Sequence, residues 1–239
     1  MAYQSIFKRY EMKYIITKEQ KKELIKELGA YIELDKYGRT KINSIYFDTP
    51  DYRLIRRSIE KPVYKEKLRL RSYGVTKQNS PVFIELKKKM DNVVYKRRIG
   101  TTEKEAINYL CKNIDFLEDG QIKKEILYVK NYYHNLQPKV LVTYEREAYY
   151  GKEDKNFRVT FDDNILWRQE EVSLCRGSWG SKILNNDEIV MEIKTATALP
   201  IWFSRFLSKK HIYKQSFSKY GTVYKIIMEN KNNGGQKYA

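Results

Sequence analysis

The chain is poor in the residues that cross-link small proteins or bind zinc. Its 239 residues include two cysteines, Cys111 and Cys175, and two histidines, His134 and His211. Two cysteines cannot build a disulfide framework, and we expect both to be small, buried hydrophobic residues. Because the histidines stand alone, a zinc site is not indicated. Thiols that stay reduced favour the cytoplasm as the compartment.

Glycine-rich nucleotide-binding motifs and long apolar segments are also lacking. The 11 glycines are scattered and form neither a G-x-x-x-x-G-K-[ST] loop nor a G-x-G-x-x-G turn, so a P-loop or Rossmann site is not supported. Residues 1–9 contain no apolar region of the kind found in signal peptides. The apolar runs are far shorter than the roughly 20 residues that span a bilayer. We therefore expect no transmembrane segment.

Positive charge and aromatic residues are abundant instead. Lys plus Arg number 47 against 30 Asp plus Glu, which gives a net charge of +17. With 41 % hydrophobic residues and 21 tyrosines, the chain can fold around a core. Its uniform composition favours one domain over residues 1–229, followed by a polar tail, residues 230–239, that we expect to be disordered. The charge predicts a polyanionic partner: nucleic acid, an anionic membrane, or a phosphorylated molecule or polymer.

Helix signals occur at a few places along the chain. Thr17 and Thr102 each open a capping-box pattern before an apolar-periodic segment. Thr49-Pro50 resembles an N-cap followed by proline at the first helical position. The spacing of apolar residues predicts further helices over residues 122–133, 200–209 and 220–228.

Strand-like alternation dominates the rest of the chain and gives each strand an apolar face and a charged face. The charged faces carry, strand by strand, Arg9, Glu11 and Lys13; Lys67, Arg69 and Arg71; Glu85 and Lys87; Lys96 and Arg98; Tyr144 and Arg146; Arg158, Thr160 and Asp162; and Glu192 and Lys194. In one antiparallel sheet these side chains would share a surface, and in a closed barrel of about eight strands they would line its lumen. Apolar partners such as Leu68 and Ile84 would then face outward under the helices.

The charged faces could instead be ordinary wet surface, which is the simpler interpretation for any one strand. Repetition over seven strands argues against it, because collecting cations is costly without an anion. A triphosphate or phosphate chain would supply that anion. Three carboxylates among the cations, Glu11, Glu85 and Glu192, are then candidate ligands for a divalent cation, which uses one or two carboxylates with phosphate oxygens. The segment 214–219 before the last helix also offers an anion site.

Eight short motifs follow one another between about Phe7 and Met228. They are Arg9-x-Glu11-x-Lys13-Tyr14, Ser44-Ile45-Tyr46-Phe47-Asp48, Lys67-x-Arg69-x-Arg71-x-Tyr73-Gly74, Phe83-Ile84-Glu85-x-Lys87, Tyr144-x-Arg146, Arg158-Val159-Thr160-Phe161-Asp162, Glu192-Ile193-Lys194 and Ser218-Lys219-Tyr220. In this order they resemble the VTC (vacuolar transporter chaperone) domain of polyphosphate polymerases, a member of the triphosphate tunnel metalloenzyme or CYTH superfamily.

The resemblance implies an α+β fold, an eight-stranded antiparallel tunnel barrel with short covering helices. It implies a metal-dependent phosphotransferase that moves the γ-phosphoryl group of ATP onto a growing polyphosphate chain, with Mn²⁺ or Mg²⁺ as cofactor. Together with the residue patterns it gives three sets of site residues. The expected catalytic residues are Lys13, Arg69, Arg71, Lys87, Arg146 and Arg158. Substrate binding is expected from Arg9, Lys67, Lys96, Arg98, Tyr144, Lys194, Lys214, Ser218 and Lys219, and metal binding from Glu192, Glu11 and Glu85.

One position departs from the wider superfamily, which opens on Glu-x-Glu-x-Lys where this chain has Arg9. The replacement weakens the metal site, adds a cation and favours a transferase over a simple triphosphatase. Two alternatives stay open: a tunnel triphosphatase that releases phosphate, and a non-catalytic module that binds polyphosphate or nucleic acid. Nucleic acid ranks lowest, because few aromatic residues lie between the basic positions.

Overall fold

The computed structural model describes residues 6–7, 10–91 and 93–235. Its strands are β1 (Ile6–Phe7), β2 (Tyr10–Thr17), β3 (Ile32–Leu34), β4 (Thr40–Asp48), β5 (Tyr64–Tyr73), β6 (Val82–Met90), β7 (Val93–Thr101), β8 (Gln137–Gly151), β9 (Arg158–Arg168), β10 (Ser181–Lys182) and β11 (Glu188–Thr195). Its α-helices are α1 (Lys18–Leu28), α2 (Arg53–Ile59), α3 (Glu103–Lys112), α4 (Gln121–Tyr133), α5 (Ile201–Lys209) and α6 (Lys219–Gly235).

All of these strands belong to one antiparallel sheet. Its order is β1-β7-β6-β5-β4-β8-β9-β11-β2, with β3 beside β8 and β10 beside β9. Eight of the strands are 8 to 15 residues long and follow one another from β7 to β2, whereas β1, β3 and β10 are short. The predicted α+β architecture with eight principal antiparallel strands is therefore confirmed.

The two ends of this strand order are brought together by the start of the chain. β1 pairs with β7 and β2 pairs with β11, yet β1 and β2 are nearly consecutive in sequence. Side chains also join the two ends, because Lys87 Nζ of β6 lies 2.8 Å from Glu11 Oε2 of β2. The described residues include no backbone ladder between β7 and β2. The sheet thus curls into a tunnel whose seam is made by side chains and by β1.

The outer face of the curled sheet is apolar and covered by helices, as the alternation predicts. Leu68 and Ile84 are fully buried in a cluster that includes α3 and α4. On the opposite wall, Val159 and Ile193 are fully buried in a second cluster that includes α1 and α5. Each such side chain contributes about 1.5–3 kcal/mol to folding by leaving water. This packing turns the opposite face of the principal strands, which carries the charged side chains, toward the interior.

Helix α6 packs on the inner face of the sheet. Tyr220 stacks on Tyr46 of β4 with 4.6 Å between ring centroids, and Val223 is buried in the same cluster. Tyr46 is on the charged face, since it lies opposite Arg69 in the β4–β5 register. The helix therefore fills one end of the tunnel. It continues to Gly235, into the segment predicted as a disordered tail, while residues 236–239 lie outside the described residues.

The capping predictions have mixed outcomes. Thr17 and Thr102 both form complete capping boxes and are confirmed. The prediction of proline at the first helical position is wrong, because α2 begins at Arg53. The carboxylate of Asp48 instead accepts hydrogen bonds from the backbone N–H groups of residues 54 and 55, at 2.8 and 3.0 Å. Thr49 Oγ1 also accepts the backbone N–H of Arg53 at 2.8 Å, so Thr49 and Asp48 together supply the acceptors at the start of the helix.

Both cysteines are exposed, so the prediction that they are buried is wrong. In each case an adjacent leucine takes the core position: Leu110 next to Cys111 and Leu174 next to Cys175, at 2 % and 1 % exposure. The Cys175 thiol donates to Glu103 Oε2 at 3.3 Å. Of the helices that the structure describes, none combines the length and the hydrophobicity needed to cross a bilayer.

Candidate functional site

The charged strand faces converge inside the curled sheet. We call this group of side chains the tunnel cluster. Its members are Glu11, Lys13, Lys67, Arg69, Arg71, Glu85, Lys87, Lys96, Arg98, Tyr144, Arg146, Arg158, Asp162, Glu192, Lys194, Ser218 and Lys219. Contacts between strands that are not neighbours show the convergence: Lys87 reaches Glu11 at 2.8 Å, and Arg71 Nη2 donates to Tyr144 Oη at 3.1 Å. Eleven Lys and Arg side chains thus surround four carboxylates.

Glu85 is the carboxylate that organises one wall of the cluster. Its side chain is 1 % exposed, and its oxygens lie 2.7 Å from Arg69 Nη2, 2.5 Å from Arg98 Nη2 and 2.7 Å from Lys96 Nζ. Arg71 Nη1 is 3.7 Å away. Burial alone would raise the pKa of Glu85, but the neighbouring cations outweigh it and hold that pKa far below its usual value. Glu85 therefore fixes the cations of β5 and β7 in position.

Asp162 has the same role on the other wall. Arg146 pairs with it bidentately, at 2.5 and 2.7 Å, and Lys219 Nζ lies 2.5 Å from its Oδ2. Burial would raise the pKa of Asp162, yet Arg146 and Lys219 lower it to about 2. Because Lys219 is the first residue of α6, Asp162 also fixes the start of that helix. Sequence reasoning placed Asp162 on the charged face but did not count it among the site residues.

The β11–β2 wall, which borders the seam, carries alternating charges. In the register of β11 with β2, Glu192 lies opposite Lys13, and Lys194 lies opposite Glu11. Glu192 contacts Lys194 at 2.9 Å and Lys13 at 3.8 Å. Burial opposes ionisation of Glu192, but Lys194 and Lys13 hold its pKa well below the usual value. Burial also opposes ionisation of Glu11, but Lys87 and Lys194 lower its pKa, so both carboxylates of this wall are ionised at neutral pH.

This arrangement bears on the predicted metal ligands. Within residues 10–91 and 93–235, no three His, Cys, Asp or Glu side chains form a group able to hold a metal ion. Glu85 does not fit as a ligand, because the four cations around it would repel another. Glu11 and Glu192 fit better, because one and two lysines contact them instead of four cations, and Mg²⁺ and similar hard ions use one or two carboxylates together with phosphate oxygens. Metal binding by this pair stays a prediction.

Lys67 is an inward-facing cation without a carboxylate partner. Its Nζ donates to Ser218 Oγ at 2.8 Å, and none of the ion pairs among the described residues includes it. Burial lowers the pKa of Lys67 well below its usual value, and the nearby charges of Lys13, Lys87 and Arg69 lower it further. An amine held among other cations is stabilised by an anion that reaches them all. Lys67 is therefore an inward-facing amine of the cluster whose charge no carboxylate among the described residues neutralises.

A comparison with protein-family models decides the family. The model described as VTC domain matches residues 8–228. The chain belongs to the VTC domain family. The family predicted from the eight motifs is thus confirmed, and a comparison with curated protein sequences found no significant match.

This VTC domain is similar to solved structures at low sequence identity. A candidate adenylate cyclase from Bacillus halodurans is 14 % identical and has a TM-score of 0.58, and the alignment covers 90 % of this chain and 96 % of that one. A candidate adenylate cyclase from Vibrio parahaemolyticus is 12 % identical, with a TM-score of 0.47 and coverage of 92 % and 99 %. The first similarity supports the fold alone.

The other predicted site residues of the VTC domain lie in different surroundings. Arg158 is at the rim, 3.6 Å from Asp35, and its Nε is a buried atom without a hydrogen-bond partner. Tyr144 lies beneath Lys219, whose Nζ is 4.4 Å from the ring centroid. Lys214 is exposed on the segment before α6 and has no ion pair among the described residues, so the structure does not bring it into the cluster. Arg9 lies outside the described residues.

Proposed function

We propose that this VTC domain is a polyphosphate polymerase that transfers the γ-phosphoryl group of ATP onto a growing polyphosphate chain. The observation that carries the proposal is Lys67: an inward-facing amine among Lys13, Lys87 and Arg69 with no carboxylate partner in the described structure. A linear phosphate chain carries a negative charge on each unit and can reach all of these cations at once. Family membership supports a phosphate substrate of this kind.

The fixed cations on both walls suit phosphoryl transfer. The reaction requires little covalent chemistry from the protein, so alignment and charge stabilisation supply most of the rate enhancement. Glu85 holds Arg69 and Arg71 in place before substrate arrives, and Asp162 does the same for Arg146 and Lys219. Cations that are already oriented need no reorganisation as charge moves in the transition state.

The acceptor makes a strong general base unnecessary. The terminal phosphate of a polyphosphate chain is ionised at neutral pH and can attack directly once it is aligned with the γ-phosphate. Neither histidine of the chain belongs to the tunnel cluster, which agrees with this requirement. A divalent metal bound at Glu11 and Glu192 would neutralise phosphate charge. Lys13 and Lys194, which flank those carboxylates, would bind phosphate oxygens beside it.

The test is to incubate the purified protein with ATP and Mn²⁺ and to separate the products by gel electrophoresis with a polyphosphate stain. We expect a long polymer from the natural sequence and from Lys22→Gln, which removes an exposed charge on α1. We expect no polymer from Lys67→Gln. Release of inorganic phosphate as the sole product would replace the proposal with a triphosphatase. Binding of polyphosphate without turnover would replace it with a non-catalytic module.

A further inference from the structure

Two lysines that the sequence motifs did not single out extend the charged face beyond Lys67. β5 carries Arg71, Arg69, Lys67 and Lys65 at alternate positions, so their side chains share the tunnel face. In the register of β5 with β6, Lys67 lies opposite Lys87 and Lys65 lies opposite Lys89. Successive pairs along a strand are about 7 Å apart. The inner face of this hairpin therefore ends in two consecutive pairs of like charge.

Like charges directly opposite each other destabilise a sheet, so the Lys65–Lys89 pair is unfavourable for folding. In the Lys67–Lys87 pair, Glu11 lies 2.8 Å from Lys87 and offsets its charge. Lys65 and Lys89 are both half-buried, and no ion pair among the described residues includes either of them. Burial lowers the pKa of Lys65, and the charges of Lys89 and Lys61 lower it further. By contrast, Lys88 on the outer face of β6 pairs with Glu125 at 3.1 Å. Lys88 on the outer face is thus neutralised, whereas Lys65 and Lys89 on the inner face have no carboxylate partner among the described residues.

The basic side chains along β5 also differ in whether a carboxylate neutralises them. Arg71 and Arg69 share the carboxylate of Glu85. Lys67 has a hydroxyl as its partner, and Lys65 has no carboxylate among the described residues. The unneutralised positive charge thus begins at Lys67 and continues outward to Lys65, Lys89 and the exposed Lys61. A ligand that satisfies all of these must be a long, flexible anion.

We propose that Lys65 and Lys89, with Lys61 beside them, form a second phosphate-chain subsite that binds the part of a polyphosphate extending beyond Lys67. Only the biological role of the subsite, which is to retain the growing product, rests on the proposed function. Its binding chemistry stands independently: Lys65 and Lys89 lie about 7 Å further along the strands than Lys67 and Lys87, so each added phosphate unit allows a chain to contact more of these lysines. The subsite therefore makes the protein distinguish chains by length.

The experiment measures the binding of tripolyphosphate and of a long polyphosphate chain by calorimetry, without metal or ATP. The variant is Lys65→Gln/Lys89→Gln, and the matched control is Lys22→Gln/Lys26→Gln, which removes two charges from the exposed face of α1. We expect the natural sequence and the control to prefer the long chain. We measure this preference as the ratio of the two dissociation constants. In the variant we expect the ratio to fall about tenfold, because two partly exposed phosphate contacts are lost.

Three results would overturn the subsite: equal affinity of the natural protein for both chains, an unchanged ratio in the variant, or an equal fall in the control. Folding of the variant is checked by its melting temperature, which we expect to be unchanged or higher because like-charge repulsion is relieved. The single variants Lys65→Gln and Lys89→Gln keep the test decisive if the double variant unfolds. Because no turnover is measured, failure of the polymerase proposal would leave this result unaffected.

Discussion

Lys67 Nζ of β5 donates a 2.8 Å hydrogen bond to Ser218 Oγ, the residue that precedes α6. The same oxygen accepts the backbone N–H of Gly221 at 3.1 Å, so Ser218 is also the N-cap of α6. One hydroxyl therefore connects the cation without a carboxylate partner to the helix that fills the tunnel end. The start of α6 is part of the candidate site rather than a neighbour of it.

Replacement of Ser218 should affect stability and binding together. Ser218→Ala removes the N-cap, which costs about 1 kcal/mol, and leaves Lys67 without its hydroxyl partner. We expect a lower melting temperature and weaker binding of tripolyphosphate. Ser216→Ala, two residues earlier on an exposed segment, is the matched control and should change neither. Equal effects of the two substitutions would contradict the role given to Ser218.

Removal of the Glu85 charge should destabilise the protein in a way that a polyanion reverses. Glu85→Gln leaves Arg69, Lys96 and Arg98 close together without their shared carboxylate, and breaking a buried pair of this kind costs about 3–5 kcal/mol. Tripolyphosphate should restore most of the melting temperature, because it supplies negative charge to the same cations. Glu125→Gln removes a carboxylate from the outer face and serves as control. If tripolyphosphate does not restore the stability of Glu85→Gln, the claim that Glu85 neutralises phosphate-binding cations is contradicted.

Low pH should destabilise the folded protein, because Asp162 becomes protonated and loses its ion pairs. The folded pKa of Asp162, about 2, lies below its ordinary value of 3.8. A depressed carboxyl pKa stabilises the folded state above the unfolded pKa, and that contribution is lost as the pH falls through the folded value. Asp162→Asn should therefore be less stable than the natural protein at neutral pH, by a margin that narrows between about pH 4 and pH 2. Urea unfolding at several pH values measures the difference in free energy of unfolding between the two proteins. A difference that does not change with pH would contradict the lowered pKa of Asp162.

Local features of this fold were predictable from the sequence, while its long-range contacts were not. Alternation fixed which side chains of residues 67–71 share a face, and the Thr17 and Thr102 boxes marked two helix starts, because both signals depend on near neighbours in the chain. The role of Asp162 depends on Lys219, which is distant in sequence. The position of α6 inside the tunnel depends on the stacking of Tyr220 on Tyr46, and its amphipathic pattern fits an outer helix equally well.

For the candidate site, the sequence predicted which residues take part but not which partners they contact. Motif order identified the cations, but nothing local distinguishes Lys67, which lacks a carboxylate partner, from Arg69, which shares Glu85. Glu85 was expected to bind a metal because it is one of three carboxylates among the cations of the charged faces, and the structure surrounds it with cations from two other strands. Lys65 and Lys89 carry no motif, and their significance comes from strand register alone.

The most direct test of the account is proton uptake when tripolyphosphate binds, measured by calorimetry at mildly alkaline pH in buffers of different ionisation enthalpy. The pKa of Lys67 is depressed in the free protein, and an anion beside its amine should raise that pKa and draw a proton from solution. We expect the natural protein to take up more protons than Lys67→Met, which should bind at least about tenfold more weakly. We also expect the unliganded variant to melt at a higher temperature. Equal affinity and equal proton uptake in the two proteins would contradict the claim that Lys67 is kept without a carboxylate partner for a phosphate chain.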